Sequence, residues 1–469
     1  MSLNGKTWKR VGLGAVALVS TAVLAACGGK SSSTSSKTDE INWYTPTEIS
    51  TLDISKVTDS YSSIAIGNSG SNLLRRNEDG ELKPDLAEKV EVSEDGLTYI
   101  ATLRDGLKWS DGSDLTADDF VYTWQRIVDP ATASEYAYLA SDAHVLNAAE
   151  VINGTKSVDE LGVKADGNKV IFTLSSPSPQ FMSLLTFANF VPQNKAFVEK
   201  AGSDYATTSE KALYSGPYTV KNWNGSNGSF TLVKNKYYWD AKNVKLKKVN
   251  VQAVKKPDTA VQMYKDGELD TANISGTEAI YKANKSNKDV VDAPEATSAY
   301  LVYNETGSVK ALANTKIRQA LNLATNREGV VKAAIDTGSK AATALVPTGL
   351  ETLEDGTDLS KYVSQDYTYD AKQAVKLFKE GLAEIGEKSV KLTITADSDT
   401  PVAKASVDYI KQTWEDVLPG LKVEEKFVTF KQRLQDSKTQ NFDVVLSLWG
   451  GDYPCLLYTS PSPRDRTRS

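Results

Sequence analysis

Few residues in this 469-residue chain could carry out chemistry. Histidine occurs once, at His144, so any triad that needs a histidine base has a single candidate. Nothing beside it reads as a nucleophile elbow, and a surface or structurally satisfied histidine is the simpler account. The adjacent carboxylates Asp118 and Asp119 could share a proton, but they follow Thr116 at the spacing of a capping box, which explains them as helix-start residues. No zinc-ligand spacing, Walker loop or dinucleotide glycine pattern is present, so neither metal nor cofactor is expected and catalysis finds no support. Asp452 stands in Trp449-Gly450-Gly451-Asp452-Tyr453-Pro454. A carboxylate of this kind can form a charge-assisted hydrogen bond with an ammonium group, although a turn aspartate beside a proline is the simpler reading of these residues alone.

Cys27 belongs to a different chemistry. Lys6, Lys9 and Arg10 precede an uncharged run from Val11 to Ala26, and Cys27 closes the sequence Leu24-Ala25-Ala26-Cys27. A charged start, a short apolar segment and small residues at a cleavage point form a signal peptide, expected over 1–26. The last four residues resemble a lipobox, which implies a diacylglyceryl anchor on Cys27. An ordinary secretory signal that happens to hold a cysteine is the alternative. The Gly/Ser-rich run that follows cannot bury a core and reads as a flexible linker over 27–40. Two acyl chains hold a protein on a membrane where one does so only marginally. No second apolar run is long enough to span a bilayer, so the chain is not expected to be a channel or permease.

The elements that must position any site alternate short strands with helices, the pattern of an α/β fold. Leu97, Tyr99, Ala101 and Leu103 alternate as in a half-buried strand, Asp111-Gly112 turns the chain, and Thr116 starts a helix burying Phe120, Val121, Trp124, Ile127 and Val128. Further helices are predicted from Asp258 to Gly267, around Ile317 to Ala324, and from Asp370 to about Gly386; strands are predicted at Val390 to Ile394 and Phe442 to Leu448. A charged fraction of 24% and a hydrophobic fraction of 40% are ordinary for a globular chain, and a net charge of −6 argues against nucleic acid as partner.

The stretch from Leu103 to Trp124, LRDGLKWSDGSDLTADDFVYTW, closely resembles the signature of the oligopeptide-binding receptors of ABC importers, extracellular solute-binding protein family 5. Leu52-Asp53, Ser215-Gly216-Pro217-Tyr218, Asn235-Lys236-Tyr237-Tyr238-Trp239, Asp266-Gly267-Glu268-Leu269-Asp270 and Ile317-Arg318-Gln319-Ala320-Leu321-Asn322 follow in the family's order. The resemblance covers about 41–454. It implies an α/β, two-lobed periplasmic-binding-protein-like fold: a first lobe of about 41–70 and 202–296, an extra subdomain of about 71–201, and a second lobe of about 297–454. After Pro454 the family's pattern stops. The tail 455–469 resembles translated sequencing-adapter read-through and is expected to be non-native, leaving the last part of the fold missing; a native disordered tail is the alternative.

The same resemblance implies the site. Asp452 matches an aspartate that pairs with a peptide α-ammonium, Trp449 and Gly450 lie in a segment that lines the cleft, and Tyr300 matches a tyrosine entering the second lobe. Ordinary packing is the alternative for Trp449 and Tyr300, and Tyr303 reads as core. Thr58, Asn273, Ser437 and Leu446 stand where better-known members carry ligand-facing residues, with Lys438 a candidate substitute cation, so recognition of a fixed peptide C-terminus is in doubt. The implied role is capture of oligopeptides outside the cell by a lipid-anchored monomer and delivery to the permease and ATPase subunits of an importer, at the extracellular face of a Gram-positive membrane. The alternatives are a receptor for a signalling peptide, nickel, haem or a sugar, or a surface adhesin.

Overall fold

Alternating apolar residues in the strands build three four-stranded sheets, each backed by its own hydrophobic core, and one two-stranded hairpin, Leu74–Arg76 with Leu82–Pro84. The computed structural model describes residues 39–450, apart from 78–79, 276–277, 292, 294, 335–338, 351–352, 354 and 364–367. Cys27, Asp452 and the segment from Cys455 onward lie outside the described residues. Among the described residues no helix is long and apolar enough to cross a membrane.

The amino-terminal body has the strand order Glu40–Thr45, Lys248–Ala253, Ser229–Lys234, Tyr218–Lys221. Its first pair is parallel and the others are antiparallel, over a core that includes Leu52, Ile66, Trp223 and Val251. Gly216 is required where its segment crosses the end of the Ser60–Ser69 helix: a Cβ there would lie 2.7 Å from the backbone of Gly70. That close approach lets Gly216 N–H donate to the Ser69 carbonyl at 2.8 Å.

The inserted body is an antiparallel sheet, Ala87–Val92, Thr98–Leu103, Lys169–Thr173, Val163–Asp166, covered by the helix Ala117–Val128. Tyr99, Ala101 and Leu103 are buried on the strand, and Phe120, Trp124, Ile127 and Val128 on the helix, with Val121 partly buried beside them, as the two periodicities predict. Trp124 stacks on Phe190 with ring centroids 4.0 Å apart. Asp119 explains the acidic pair: its Oδ2 accepts from the Thr116 N–H at 2.9 Å and from the Trp109 indole at 3.2 Å. Burial pushes its carboxyl up to about 6 despite these donors.

The carboxy-terminal body has the order Thr297–Tyr303, Val444–Gly450, Val390–Asp397, Leu421–Val428. The strand Val390–Asp397 is parallel to both its neighbours, while Thr297–Tyr303 runs antiparallel to Val444–Gly450. Helices Thr315–Ala324, Ala371–Ile385 and Pro401–Val417 contribute to its core through Ile317, Leu321, Phe378, Val407 and Trp414. The Ala371–Ile385 helix starts where expected, with the Asp370 side chain accepting from the Gln373 N–H, and stops at Gly386 with φ of 72°. The last strand is displaced from its expected span: it begins at Val444, after Asp443, whose side chain accepts from the Thr393 N–H and whose carbonyl accepts from the Asn304 N–H, and it continues to Gly450, where it pairs with Thr297.

Candidate functional site

Strand alternation divides the carboxy-terminal sheet into two unlike faces. Leu301 and Tyr303 on one strand, and Val444 and Leu446 on its partner, pack into the helical core. Ser298, Tyr300 and Val302 therefore point the other way, as do Val445, Ser447 and Trp449. Register brings these residues together: Tyr300 lies opposite Ser447, and Ser298 opposite Trp449. Tyr300 and Trp449 are half-buried and Gly450 is exposed. Tyr303 belongs to the core side, as expected, and burial pushes its phenol far up.

The parallel strands Val390–Asp397, Leu421–Val428 and Val444–Gly450 end at a common edge. In open α/β sheets the crevice beyond the carboxyl ends of strands is where ligands bind, because loops there can diverge while the strands hold them. Beyond this edge the chain turns at Asp399 into the helix Pro401–Val417, and after Val428 it enters the helix Phe430–Lys438. Arg433 on that helix reaches back over the open face. Its Nε donates to Asp397 Oδ1 at 3.1 Å and its Nη1 to Ser447 Oγ at 3.5 Å, while its guanidinium lies 5.1 Å from the Phe430 ring centroid. Burial raises the Asp397 carboxyl above the usual range, and Arg433 opposes that shift without cancelling it.

The amino-terminal body faces this edge. Tyr61 meets Phe430 edge-on with centroids 5.6 Å apart, and burial, reinforced by Tyr44, Glu295, Asp397 and Asp59, pushes its phenol up to about 12. Asp399, 4% exposed, joins the two bodies. It accepts from the Phe430 N–H at 3.2 Å within its own body, and from Thr47 Oγ1 at 3.3 Å and Lys255 Nζ at 3.2 Å in the other. One carboxylate thus fixes the start of the Phe430 helix and holds the two bodies together.

Of the expected site residues, Tyr300, Trp449 and Gly450 gather on the open face and its edge, and Asp452 lies outside the described residues. Lys438 is not a spare cation, since it pairs with Glu135 of the inserted body at 3.2 Å. Leu446 is core, and Asn304 closes the strand end by donating to the Gln440 and Phe442 carbonyls. Phe430, Arg433, Asp397 and Tyr61 were not singled out by the sequence. The available signal was Asp397, three residues beyond the predicted strand Val390 to Ile394, which the structure extends to Asp397.

Residues 81–459 match the family of bacterial extracellular solute-binding proteins, family 5. The chain is similar to the dipeptide-binding protein of Lactococcus lactis subsp. cremoris, at 41% identity over 96% of this chain and 82% of that protein. Among solved structures it is similar to Listeria monocytogenes OppA bound to peptide, with a TM-score of 0.87 and 34% identity over 90% of this chain and 83% of that one. It is also similar to the pheromone receptor PrgZ, with a TM-score of 0.85 and 30% identity over 90% of this chain and 83% of that one. The mixed α/β, periplasmic-binding-protein-like architecture expected from the sequence is the one these structures share. On the extent of these matches, the chain belongs to the bacterial extracellular solute-binding proteins, family 5.

Proposed function

We propose that this chain captures oligopeptides outside the cell and delivers them to the permease of an ABC importer. One observation carries the reading: the sheet face bearing Tyr300, Ser447 and Trp449 lies at the carboxyl ends of parallel strands, with Arg433 laid over part of it and Phe430 of the same helix meeting Tyr61 of the other body. An extended peptide offers the same amides whatever its side chains, so recognition by strand edges and aromatic walls tolerates many sequences. Asp452, two residues beyond Gly450, supplies a carboxylate for the peptide's α-ammonium. Lobe closure through contacts such as those of Asp399 reports occupancy to the permease. The two-lobe division proposed is 41–70 with 202–296 against 297–454, with 71–201 as a subdomain on the first lobe. No step requires bond chemistry, so the role is binding rather than catalysis. Acylated Cys27 tethers the receptor at the extracellular face, beside the transporter it serves, and it acts as a monomer.

Calorimetric titration with mixed short peptides tests the reading. Binding is expected, with Asp452→Ala weakening it for peptides with a free amine; equal affinity of the variant and the intact chain would remove Asp452 from the site. A signalling peptide is the second reading, favoured by the likeness to a pheromone receptor. Mass spectrometry of ligand carried through purification separates the two: one defined sequence favours the signal, a mixture the nutrient.

A further inference from the structure

Besides the open sheet face, the two bodies share a second feature. A cavity of about 280 Å³ lies between the loop from Ser50 to Lys56 and the start of the Phe430–Lys438 helix, with Arg126, Tyr205 and Trp223 also in its lining and Lys431 contributed by the carboxy-terminal body. Its charge is uneven. Arg126 is neutralised by Asp53, with Nη1 to Oδ1 at 2.6 Å and Nη2 to Oδ2 at 2.8 Å. Lys56 and Lys431 are exposed, and among the described residues neither has an ion-pair partner. They leave the lining two positive charges in excess. A donor is also unused: the Trp223 indole N–H is buried without an acceptor, although most buried donors find one. Two free ammonium groups in one polar cavity, with a buried indole N–H lacking an acceptor on a residue of its lining, are suited to an anion with several acceptor atoms.

We infer that this cavity is an anion pocket in which Lys56 and Lys431 hold a carboxylate of the bound peptide. The inference rests on the peptide-capture reading and adds the part of the peptide selected. Because Lys431 comes from one body and Lys56 from the other, the carboxylate is held only when the bodies are together, so the contact couples recognition to closure. Lysine suits this role: an ammonium on a flexible stem is a point charge that follows a carboxylate without fixing its orientation. The carboxylate is either the peptide's C-terminus or an acidic side chain, and the pocket's chemistry is the same for both.

The test is titration of the full chain with tetra-alanine bearing a free or an amidated C-terminus, and with the same peptide carrying glutamate or glutamine at its third position. Loss of the carboxylate is expected to weaken binding about tenfold, the scale of one charge-assisted contact. In the Lys56→Gln, Lys431→Gln double variant the charged and neutral peptides should bind alike. Both lysines are exposed, so the variant's thermal midpoint should match that of the intact chain. A difference confined to amidation assigns the C-terminus, and one confined to glutamate against glutamine assigns a side chain; either supports the pocket. Peptide binding indifferent to both changes, or discrimination that survives the double variant, overturns the pocket and leaves peptide capture standing. Failure of every peptide to bind the intact chain removes both.

Discussion

Two buried Arg–Asp pairs divide the molecule's labour. Arg126 and Asp53 join the inserted body to the amino-terminal one with two short hydrogen bonds, a third from Arg126 to Gln193 Oε1 at 2.7 Å, and Gln193 Nε2 donating in turn to Ser55 Oγ at 2.9 Å. Arg433 and Asp397, equally buried, share one bond of 3.1 Å, and the second donor reaches only Ser447 at 3.5 Å. A fully satisfied network holds two bodies in one arrangement. A partly satisfied pair beside an open face keeps donors and acceptors in reserve, which suits a wall that must meet a changing ligand.

The comparison breaks most readily at its tighter end. Arg126→Ala leaves Asp53 buried without its cation and is expected to cost about 3–5 kcal/mol, read as a lowered midpoint in denaturant melts; a loss below about 1 kcal/mol would refute the structural role. A third buried carboxylate, Asp119, has N–H donors and, among the described residues, no bonded cation, and its carboxyl is raised to about 6. The unfolded acid titrates near 3.8, so between about 4 and 6 the folded state binds the extra proton. Stability from this group is therefore full below the unfolded value and is lost as pH rises through about 6, by roughly 3 kcal/mol in all. Asp119→Asn should flatten that part of the stability–pH curve, and an unchanged slope would sink the assignment.

At the open face the effects should be smaller and should fall on binding. Arg433→Met is expected to cost about 1–2 kcal/mol of stability, less than Arg126→Ala because Arg433 gives Asp397 one bond of 3.1 Å where Arg126 gives Asp53 two shorter ones. Peptide affinity should drop about tenfold; equal stability losses for the two arginines would erase the distinction drawn here. Tyr61→Ala removes one edge-to-face contact with Phe430 and should weaken peptide binding in the same titrations by about 1 kcal/mol.

Much of the scaffold was legible because its signals are local. Thr116 with Asp119, Asp370 with Gly386, and the alternation from Tyr99 to Leu103 each carry their own start, stop or facing information within one turn or strand. The ligand wall was only half legible. Tyr300 and Trp449 were reached through resemblance, whereas Arg433 sits in a polar segment, FKQRLQDSK, that reads as a solvated helix. Lys438 was weighed as a cation for the ligand, and only its distance to Glu135, some three hundred residues earlier in the chain, shows it engaged.

The sequence by itself determined the element types, their caps and the family signature from Leu103 to Trp124, since these depend on neighbours within a few positions. Only the tertiary structure decided which face of the last sheet carries the helical core and which charges find partners. It brought Asp399 to Thr47 and Lys255, and Lys431 into one cavity with Lys56. Those partners lie well over a hundred residues apart, and charge pairing depends on distance in space, which strand order and register set.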